Sequence, residues 1–486
     1  MWHDERLLID GDLVEAEGGR TYETVNPSTG EVLGTAADAS ASDADRAIAA
    51  ARRAFDTTDW ATDHGFRARC LHQLHQALVK NAEDLRHLVV AETGLPVMLT
   101  NGPGIEAPVE MVRWYADLLE RYEFTEDLGE AEVRGAMHQR WVEKEPVGVV
   151  AAIVPYNFPV QITLAKVVPA LAAGCTVVVK GPPQTPWVTA ALARIIAEGT
   201  DIPAGVVNVL TSSSAAVGEL LVTDPRVDSV SFTGSTATGR RIMAAASPTV
   251  KKVFLELGGK SAFVVMDDAD LELAAMIAGF TICSHAGQGC AITSRFLVPE
   301  SKAEQLVELV SATMAGVPYG DPTNPGTMMG PLISADQRDK VDGYVQRAAD
   351  AGAKVVLGGR RPDHLPDGYF YEPTLLVDVD PDAEIAQDEI FGPVLVVLPF
   401  RDDDDAVAIA NNSIFGLSGT VFGTDIDRST AVARRLRVGT VSVNGGMWYA
   451  PDAPFGGYKQ SGIGREMGVP GLEEYLESKT LAKPVG

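Results

Sequence analysis

Short apolar runs alternate with helical segments along the middle of this 486-residue chain, and this alternation restricts the possible folds more than any other feature. The apolar runs that predict buried strands are 147–154, 175–179, 206–209 and 227–232, and the helices predicted between them are 161–173, 187–198 and 215–222. Such alternation predicts a doubly wound parallel sheet with helices on both faces. Ligands of such sheets bind beyond the carboxyl ends of the strands.

A second series of the same kind follows the first. Its predicted strands are 261–266 and 295–298, and its predicted helices are 272–283 and 301–315. Because the chain is too long for one ordinary core, we expect two α/β domains that join near Glu256. Upstream of both series, residues 1–40 predict small strands and turns, and the helices predicted by apolar spacing are 43–55, 68–92 and 106–119.

Charge and cysteine content exclude several classes of function. The chain has 40 Lys and Arg against 66 Asp and Glu, a formal net charge of −26, which argues against binding to nucleic acid or to anionic membranes. The four cysteines show no C-x-x-C spacing, so neither a zinc site nor a disulfide framework is indicated. The acidic run 402–405 is expected to cap a helix near Ala406 and to bind no metal. With no basic and apolar leader and no long apolar run, a cytoplasmic protein is expected.

Three residues offer the elements of covalent catalysis. Cys290 lies between small residues that let a substrate approach, and Glu256 could activate water against an acyl group captured by the sulfur. Asn157 lies between Pro155 and Pro159, which stiffen the backbone around a side-chain amide suited to hold an oxyanion. Together they describe catalysis through a thioester.

Six short strings, in order along the chain, resemble the aldehyde dehydrogenase superfamily. They are 154–159, 231–236, 255–260, 287–290, 389–393 and 454–459, and the resemblance extends from about residue 25 to about residue 480. It implies a doubly wound cofactor-binding domain, a second α/β catalytic domain and a small β element for oligomerisation. The implied boundaries are 1–123 with 147–255 for the cofactor, 256–470 for catalysis, and 124–146 with 471–486 for oligomerisation.

The resemblance also implies a reaction. The Cys290 thiolate would add to an aldehyde, the Asn157 amide and the Cys290 backbone N–H would hold the oxyanion, and hydride would leave for NAD(P)+. Glu256 would then activate the water that hydrolyses the thioester, which argues against transfer of the acyl group to coenzyme A. Lys166 and Glu466 match family residues proposed as a proton relay, or they form a structural ion pair. The other cysteines, Cys70, Cys175 and Cys283, are expected to be buried.

The expected cofactor is NAD, with NADP possible. No G-x-G-x-x-G follows a predicted strand, and the turn that begins at Gly234 and Ser235 is the family's pyrophosphate contact. Lys180 matches the adenosine-ribose ligand, but Pro183 stands where the family commonly has a glutamate, so one reason to exclude a 2′-phosphate is lost. The remaining cofactor residues implied by the resemblance are Ile153, Val154, Pro155, Tyr156, Leu257, Gly258, Glu389 and Phe391.

The resemblance places an aldehyde tunnel next to Cys290. The residues that match its walls are Phe158, Ile162, Ala165, Ala291, Trp448, Tyr449 and Phe455. Ala165 replaces what is often a bulky aromatic, so the tunnel favours long or ring-bearing aldehydes unless neighbouring side chains refill the space. Residues 445–455 contain no Arg, Lys or His, which disfavours semialdehydes with a distal carboxylate.

Family members usually form dimers or tetramers, so a homo-oligomer is expected, with an exposed hairpin at 134–145 and the tail 473–483 as candidate contacts. Two other functions remain open from the sequence. One is an esterase or acyltransferase that uses the same cysteine without redox chemistry. The other is a catalytically silent scaffold that keeps the fold.

Overall fold

The structure is a computed structural model that describes residues 6–445 and 449–485. Its largest sheet has eight strands, which in spatial order are Gly462–Ile463, Lys252–Glu256, Ser229–Thr233, Val149–Ile153, Thr176–Lys180, Val207–Leu210, Leu7–Ile9 and Asp12–Val14. The five central strands are parallel, which confirms the doubly wound prediction. From Val149–Ile153 the chain first adds strands on one side and then on the other, so the strand order reverses between Val149–Ile153 and Ser229–Thr233.

Helices cover this sheet. Those between the parallel strands and after them are Pro159–Ala173, Pro186–Gly199, Ala215–Thr223 and Thr236–Ala246, and those that precede the sheet's first parallel strand are Ala41–Thr57, His64–Lys80, Ala82–Thr93, Val97–Leu99 and Glu106–Leu119. The prediction of a single helix over 68–92 is wrong, because the chain breaks at Asn81, whose side chain donates to the Ala77 carbonyl oxygen at 2.8 Å. Because the apolar spacing continues across the break, the sequence pattern predicted one continuous helix.

The second sheet has seven strands. In spatial order they are Lys354–Leu357, Thr374–Val377, Val394–Phe400, Thr293–Pro299, Ser261–Val265, Ser418–Phe422 and Thr440–Val443, of which only the first is antiparallel to its neighbour. Its accompanying helices are Leu271–Cys283, Ala303–Ala315, Ala335–Asp350, Glu384–Gln387, Asp403–Asn411 and Ile426–Ala433. The short helix Gly468–Glu473 packs instead against Pro159–Ala173 of the first sheet. Asp402 caps its helix as predicted by accepting from the Asp405 N–H, although the helix begins at Asp403 and not near Ala406.

Two small sheets complete the fold. Thr125–Val133, Ala136–Pro146 and Leu476–Pro484 form an antiparallel sheet, so the C-terminal tail pairs with the hairpin of its own chain. Thr21–Val25 pairs with Val32–Ala37. Within 6–445 and 449–485, no helix is long and apolar enough to cross a membrane, and no cluster of three or more His, Cys, Asp or Glu residues could hold a metal ion.

Candidate active site

A cavity of about 180 Å³ lies beyond the carboxyl ends of the two strands between which the strand order reverses. Doubly wound sheets bind their ligands at this position. Its walls are Pro155, Tyr156, Asn157, Thr233, Gly234, Ser235, Leu257, Gly258, Cys290, Gln337, Lys340, Glu389 and Phe391. The fold therefore brings Cys290 and Asn157 into one cavity with most of the residues expected to bind the cofactor.

Cys290 lies in the loop between Leu271–Cys283 and Thr293–Pro299, and it is partly exposed, whereas the other three cysteines are buried as expected. A Cβ atom on Gly287 would lie 2.0 Å from the Gly392 carbonyl oxygen, so only glycine fits at this position of the loop that carries Cys290. Burial raises the pKa of the Cys290 thiol, and the carboxylates of Glu256 and Glu389 raise it further. The free thiol is therefore neutral at pH 7 and needs a base or a nearby positive charge to react.

Asn157 is held by two buried residues that sequence reasoning missed. Asn157 Nδ2 donates to the Gln288 backbone carbonyl oxygen at 3.0 Å, and His285 Nε2 donates to the Asn157 backbone carbonyl oxygen at 2.9 Å. Gln288 Oε1 in turn accepts from the Ile333 N–H at 3.0 Å. Burial lowers the pKa of His285 to about 4, so this ring is neutral. One amide hydrogen of Asn157 is therefore occupied, and the other is available for an oxyanion.

Glu256 ends the strand Lys252–Glu256 and is 2% exposed. Neither of its carboxylate oxygens has a hydrogen-bond partner in the part of the chain that the structure describes. Burial raises the pKa of Glu256 well above its ordinary value, and the charge of Glu466 adds to this while Lys166 opposes it. A buried, unpartnered carboxyl group with a raised pKa has the properties of a general base that works near neutral pH.

The two residues expected to form a relay lie together. Lys166 Nζ is 2.7 Å from Glu466 Oε1, and both side chains are buried. The Lys166 ammonium also lies 4.8 Å from the centroid of the Phe254 ring. The charges of both residues act on Glu256, and the ion pair between them agrees with a relay and with a structural role alike.

The residues expected to contact the nicotinamide end face the same cavity. Glu389 Oε1 accepts from the Gly259 N–H at 3.1 Å, and burial raises the pKa of Glu389 to about 7. The Phe391 ring packs edge-on against Tyr156 with centroids 6.1 Å apart. Ser235 caps the helix Thr236–Ala246, whose first turn leaves N–H groups open to a pyrophosphate.

A second cavity of about 360 Å³ lies on the other side of that helix start. Its walls are mainly apolar and include the strand-end residues Ile153 and Lys180; the others are Ala215, Gly218, Glu219, Val222, Thr223, Phe232, Thr238, Arg241, Ile242 and Ala245. The apolar walls and Lys180 of the second cavity suit an adenosine, and the helix start between the two cavities suits a pyrophosphate. The first cavity suits a nicotinamide, so the residues fit a dinucleotide. Pro183 is half-buried in the turn after Thr176–Lys180. It is one of the described residues, but it is not among those that line this cavity.

Most of the expected tunnel residues lie near Cys290. Phe158 packs against His285 with ring centroids 5.2 Å apart, and Tyr449 packs against Phe455 at 5.6 Å. Gln161, which sequence reasoning missed, donates from Nε2 to the Tyr449 hydroxyl. The buried face of the helix Pro159–Ala173 carries Ile162 and Ala165, and Ala291 follows Cys290 directly. The expected tunnel residue Trp448 lies outside the described residues.

Comparison with known proteins agrees with this geometry. The family model described as the aldehyde dehydrogenase family matches residues 13–481. The chain belongs to the aldehyde dehydrogenase family. This aldehyde dehydrogenase is 41% identical over 481 residues to 3-succinoylsemialdehyde-pyridine dehydrogenase of a Pseudomonas species, covering 98% of each chain. It is 38% identical over 484 residues to geranial dehydrogenase of Castellaniella defragrans, again covering 98% of each.

Solved structures agree as well. Betaine aldehyde dehydrogenase of Staphylococcus aureus in complex with NAD+ superposes with a TM-score of 0.95 at 36% identity, covering 99% of this chain and 95% of that one. A cysteine-to-alanine variant of aldehyde dehydrogenase C from Pseudomonas syringae with NAD+ and octanal gives 0.93 at 36% identity, covering 99% and 96%. This aldehyde dehydrogenase oxidises an aldehyde to a carboxylic acid with NAD(P)+ through a cysteine thiohemiacetal and a thioester. The esterase and scaffold alternatives are not favoured.

Proposed function

We propose that Cys290, Asn157 and Glu256 carry this reaction. The observation that supports the proposal most directly is that Cys290 and Asn157 line the cavity at the strand-order reversal, with Glu256 close enough to raise the pKa of the thiol. The Cys290 thiol gives its proton to solvent, and the thiolate sulfur bonds to the aldehyde carbon while the C=O π electrons move to the oxygen. The resulting oxyanion accepts from the second Asn157 amide hydrogen and the Cys290 N–H. NAD(P)+, when bound, accepts the hydride that leaves this carbon. Glu256 then takes a proton from water, whose oxygen attacks the thioester and releases the acid and the Cys290 thiolate.

Two residues hold Asn157 in place in the proposal. The backbone carbonyl of Gln288 accepts from the Asn157 side-chain amide, and the His285 ring fixes the backbone carbonyl of Asn157, so together they predetermine where the oxyanion binds. Behind Glu256, the Glu466 carboxylate accepts the proton that Glu256 removes from water, and the Lys166 ammonium holds Glu466 in position. The relay is supported by the 2.7 Å contact between them and by their charges acting on Glu256.

For the cofactor we propose NAD+, bound with its nicotinamide ribose at Glu389, its pyrophosphate at Gly234 and Ser235, and its adenosine at Lys180. The two cavities on either side of the helix start support this placement. The solved relatives with NAD+ support the choice of cofactor.

The proposed substrate is an aldehyde with a long or ring-bearing apolar body. Ala165 is small and the described aromatic residues near Cys290, Phe158, Tyr449 and Phe455, offer apolar surface. Two relatives are named for a pyridine-bearing semialdehyde and for geranial, and another was crystallised with octanal. The test compares kcat/KM for octanal, phenylacetaldehyde and succinic semialdehyde. The proposal requires the last to be the poorest substrate, and it fails if succinic semialdehyde is the best.

We further propose that the sheets correspond to the expected domains, except that Gly462–Ile463 of the expected catalytic domain joins the first sheet, and that the chain forms a homo-oligomer through the three-stranded sheet. Thr125–Val133 is an edge strand with mostly exposed side chains, among them Leu128 at 40% exposure. Such edges pair readily with another chain. The Leu128→Glu variant should have a lower mass by light scattering, and an unchanged mass would contradict this contact. The free cysteines suit a reducing compartment, so a cytoplasmic location is also proposed.

A further inference from the structure

The adenosine end of the cofactor site lacks a carboxylate where doubly wound dinucleotide folds usually place one. In such folds an acidic residue near the end of the second strand binds the ribose 2′-hydroxyl, and an arginine nearby accommodates a 2′-phosphate instead. In this chain the second parallel strand is Thr176–Lys180, which ends at Lys180, and Pro183 lies in the turn that follows it. No residue from Lys180 to Pro186 is acidic.

A carboxylate reaches this place from a distant part of the chain. Residues 37–39 run alongside the loop that follows Val207–Leu210, since Thr211 Oγ1 donates to the Ala37 carbonyl oxygen at 2.7 Å and the Ala39 N–H donates to the Thr211 carbonyl oxygen at 2.9 Å. Asp38 lies between these two contacts. Because Val207–Leu210 is the parallel neighbour of Thr176–Lys180, Asp38 stands at the same edge of the sheet as Lys180.

Three hydrogen bonds fix the orientation of the Asp38 carboxylate. Its Oδ1 accepts from the Ser212 hydroxyl at 3.0 Å and from the Ser213 N–H at 2.9 Å, and its Oδ2 accepts from the Ser213 hydroxyl at 2.9 Å. A carboxylate offers about four acceptor positions, so Oδ2 retains one. Asp38 also acts on Lys180, because its charge opposes the burial that lowers the pKa of Lys180 to about 8.

We propose that Asp38 supplies the missing ribose carboxylate and makes this enzyme prefer NAD+ to NADP+. Oδ2 accepts a hydrogen bond from a ribose hydroxyl of NAD+, whereas a 2′-phosphate in that place meets a fixed negative charge. Asp38 is thus a specificity residue that replaces the family glutamate at position 183 from a separate element. The inference rests on the proposed placement of the adenosine at Lys180.

The test measures cofactor preference in three variants. Asp38→Asn keeps the shape of the side chain, but the Ser213 N–H holds its one oxygen at the Oδ1 position, so an uncharged NH2 group replaces the acceptor Oδ2. The variant should raise the ratio of kcat/KM with NADP+ to kcat/KM with NAD+ by about tenfold or more, the change that ~1.4 kcal/mol produces. Asp38→Asn/Pro183→Glu moves the carboxylate to position 183 and should return the ratio toward the wild-type value. Asp45→Asn is the matched control, since its carboxylate pairs with Arg226 and its loss should leave the ratio unchanged.

Binding gives a readout that does not depend on turnover. By calorimetry, wild-type protein should bind AMP more tightly than adenosine 2′,5′-bisphosphate. Asp38→Asn should lower the ratio of the two Kd values, bisphosphate to AMP, by the same factor by which it raises the kcat/KM ratio. If Asp38→Asn lowers the melting temperature but moves neither ratio, Asp38 only ties the two loops together and the proposal is wrong. If neither nucleotide competes with NAD+ in any variant, the placement of the adenosine at Lys180 fails instead.

Discussion

Replacing Glu256 by glutamine should stop the catalytic cycle after hydride transfer. The substitution keeps the size of the side chain, and because neither carboxylate oxygen of Glu256 has a hydrogen-bond partner among the described residues, it breaks no such contact of the free enzyme. It also removes a buried carboxyl group that Glu466 disfavours in its charged form. We therefore expect the variant to fold normally and to lose the base that activates water.

The expected loss of turnover rate in Glu256→Gln follows from the role of Glu256 as a general base. A positioned general base contributes about 10² to 10⁴ in rate, which is about 2.7 to 5.4 kcal/mol of barrier. Since hydride leaves before water is needed, Glu256→Gln should still release about one equivalent of reduced cofactor per active site in a fast burst. Turnover after the burst should then be slower than wild type by about 10² to 10⁴.

Stopped-flow absorbance of the reduced nicotinamide measures the burst, and intact-mass analysis of the quenched enzyme measures the adduct. Peptide mapping should place the acyl group on Cys290. Adding Cys283→Ala should leave the adduct unchanged because Cys283 is buried elsewhere, whereas adding Cys290→Ala should abolish it. A variant with no burst and no adduct would refute the assignment, since Glu256 would then act before hydride transfer or be structural.

Other substitutions test the remaining parts of the site. Cys290→Ala should abolish aldehyde oxidation with the Kd for NAD+ nearly unchanged by calorimetry, and substantial turnover would refute the nucleophile. Pro183→Glu should penalise NADP+ far more than NAD+ in kcat/KM; a ratio that does not move toward NAD+ would place residue 183 away from the ribose. Because the pKa of Glu256 is raised and its base form is needed, kcat should fall as pH drops through a value well above the ordinary ~4.3. A limb near that ordinary value would contradict the burial argument. Lys166→Met should cost about 3 to 5 kcal/mol of unfolding free energy in denaturant melts, because it leaves Glu466 buried alone, and Lys166→Met/Glu466→Gln should recover much of it.

Much of the architecture follows from local pattern. Parallel strands buried on both faces need continuous apolar runs, and Val149–Ile153 and Thr176–Lys180 appear in the sequence as such runs. The reactive cysteine was also accessible to sequence reasoning, because small residues on both sides of Cys290 form a pattern that the buried Cys70, between Arg69 and Leu71, lacks. Local pattern did not reveal the break at Asn81, since apolar spacing persists through it.

The sequence by itself thus determined the class of fold, the order of the two sheets and the residue types available for thioester chemistry, because these depend on neighbours along the chain. Only the tertiary structure decided which groups meet. Lys166 contacts Glu466 across 300 positions, Asn157 bonds Gln288 across 131, and Asp38 meets Ser212 across 174. The shifted pKa values of Glu256, Glu389 and Lys180 likewise follow from burial, which exists only when the sheets and loops have packed.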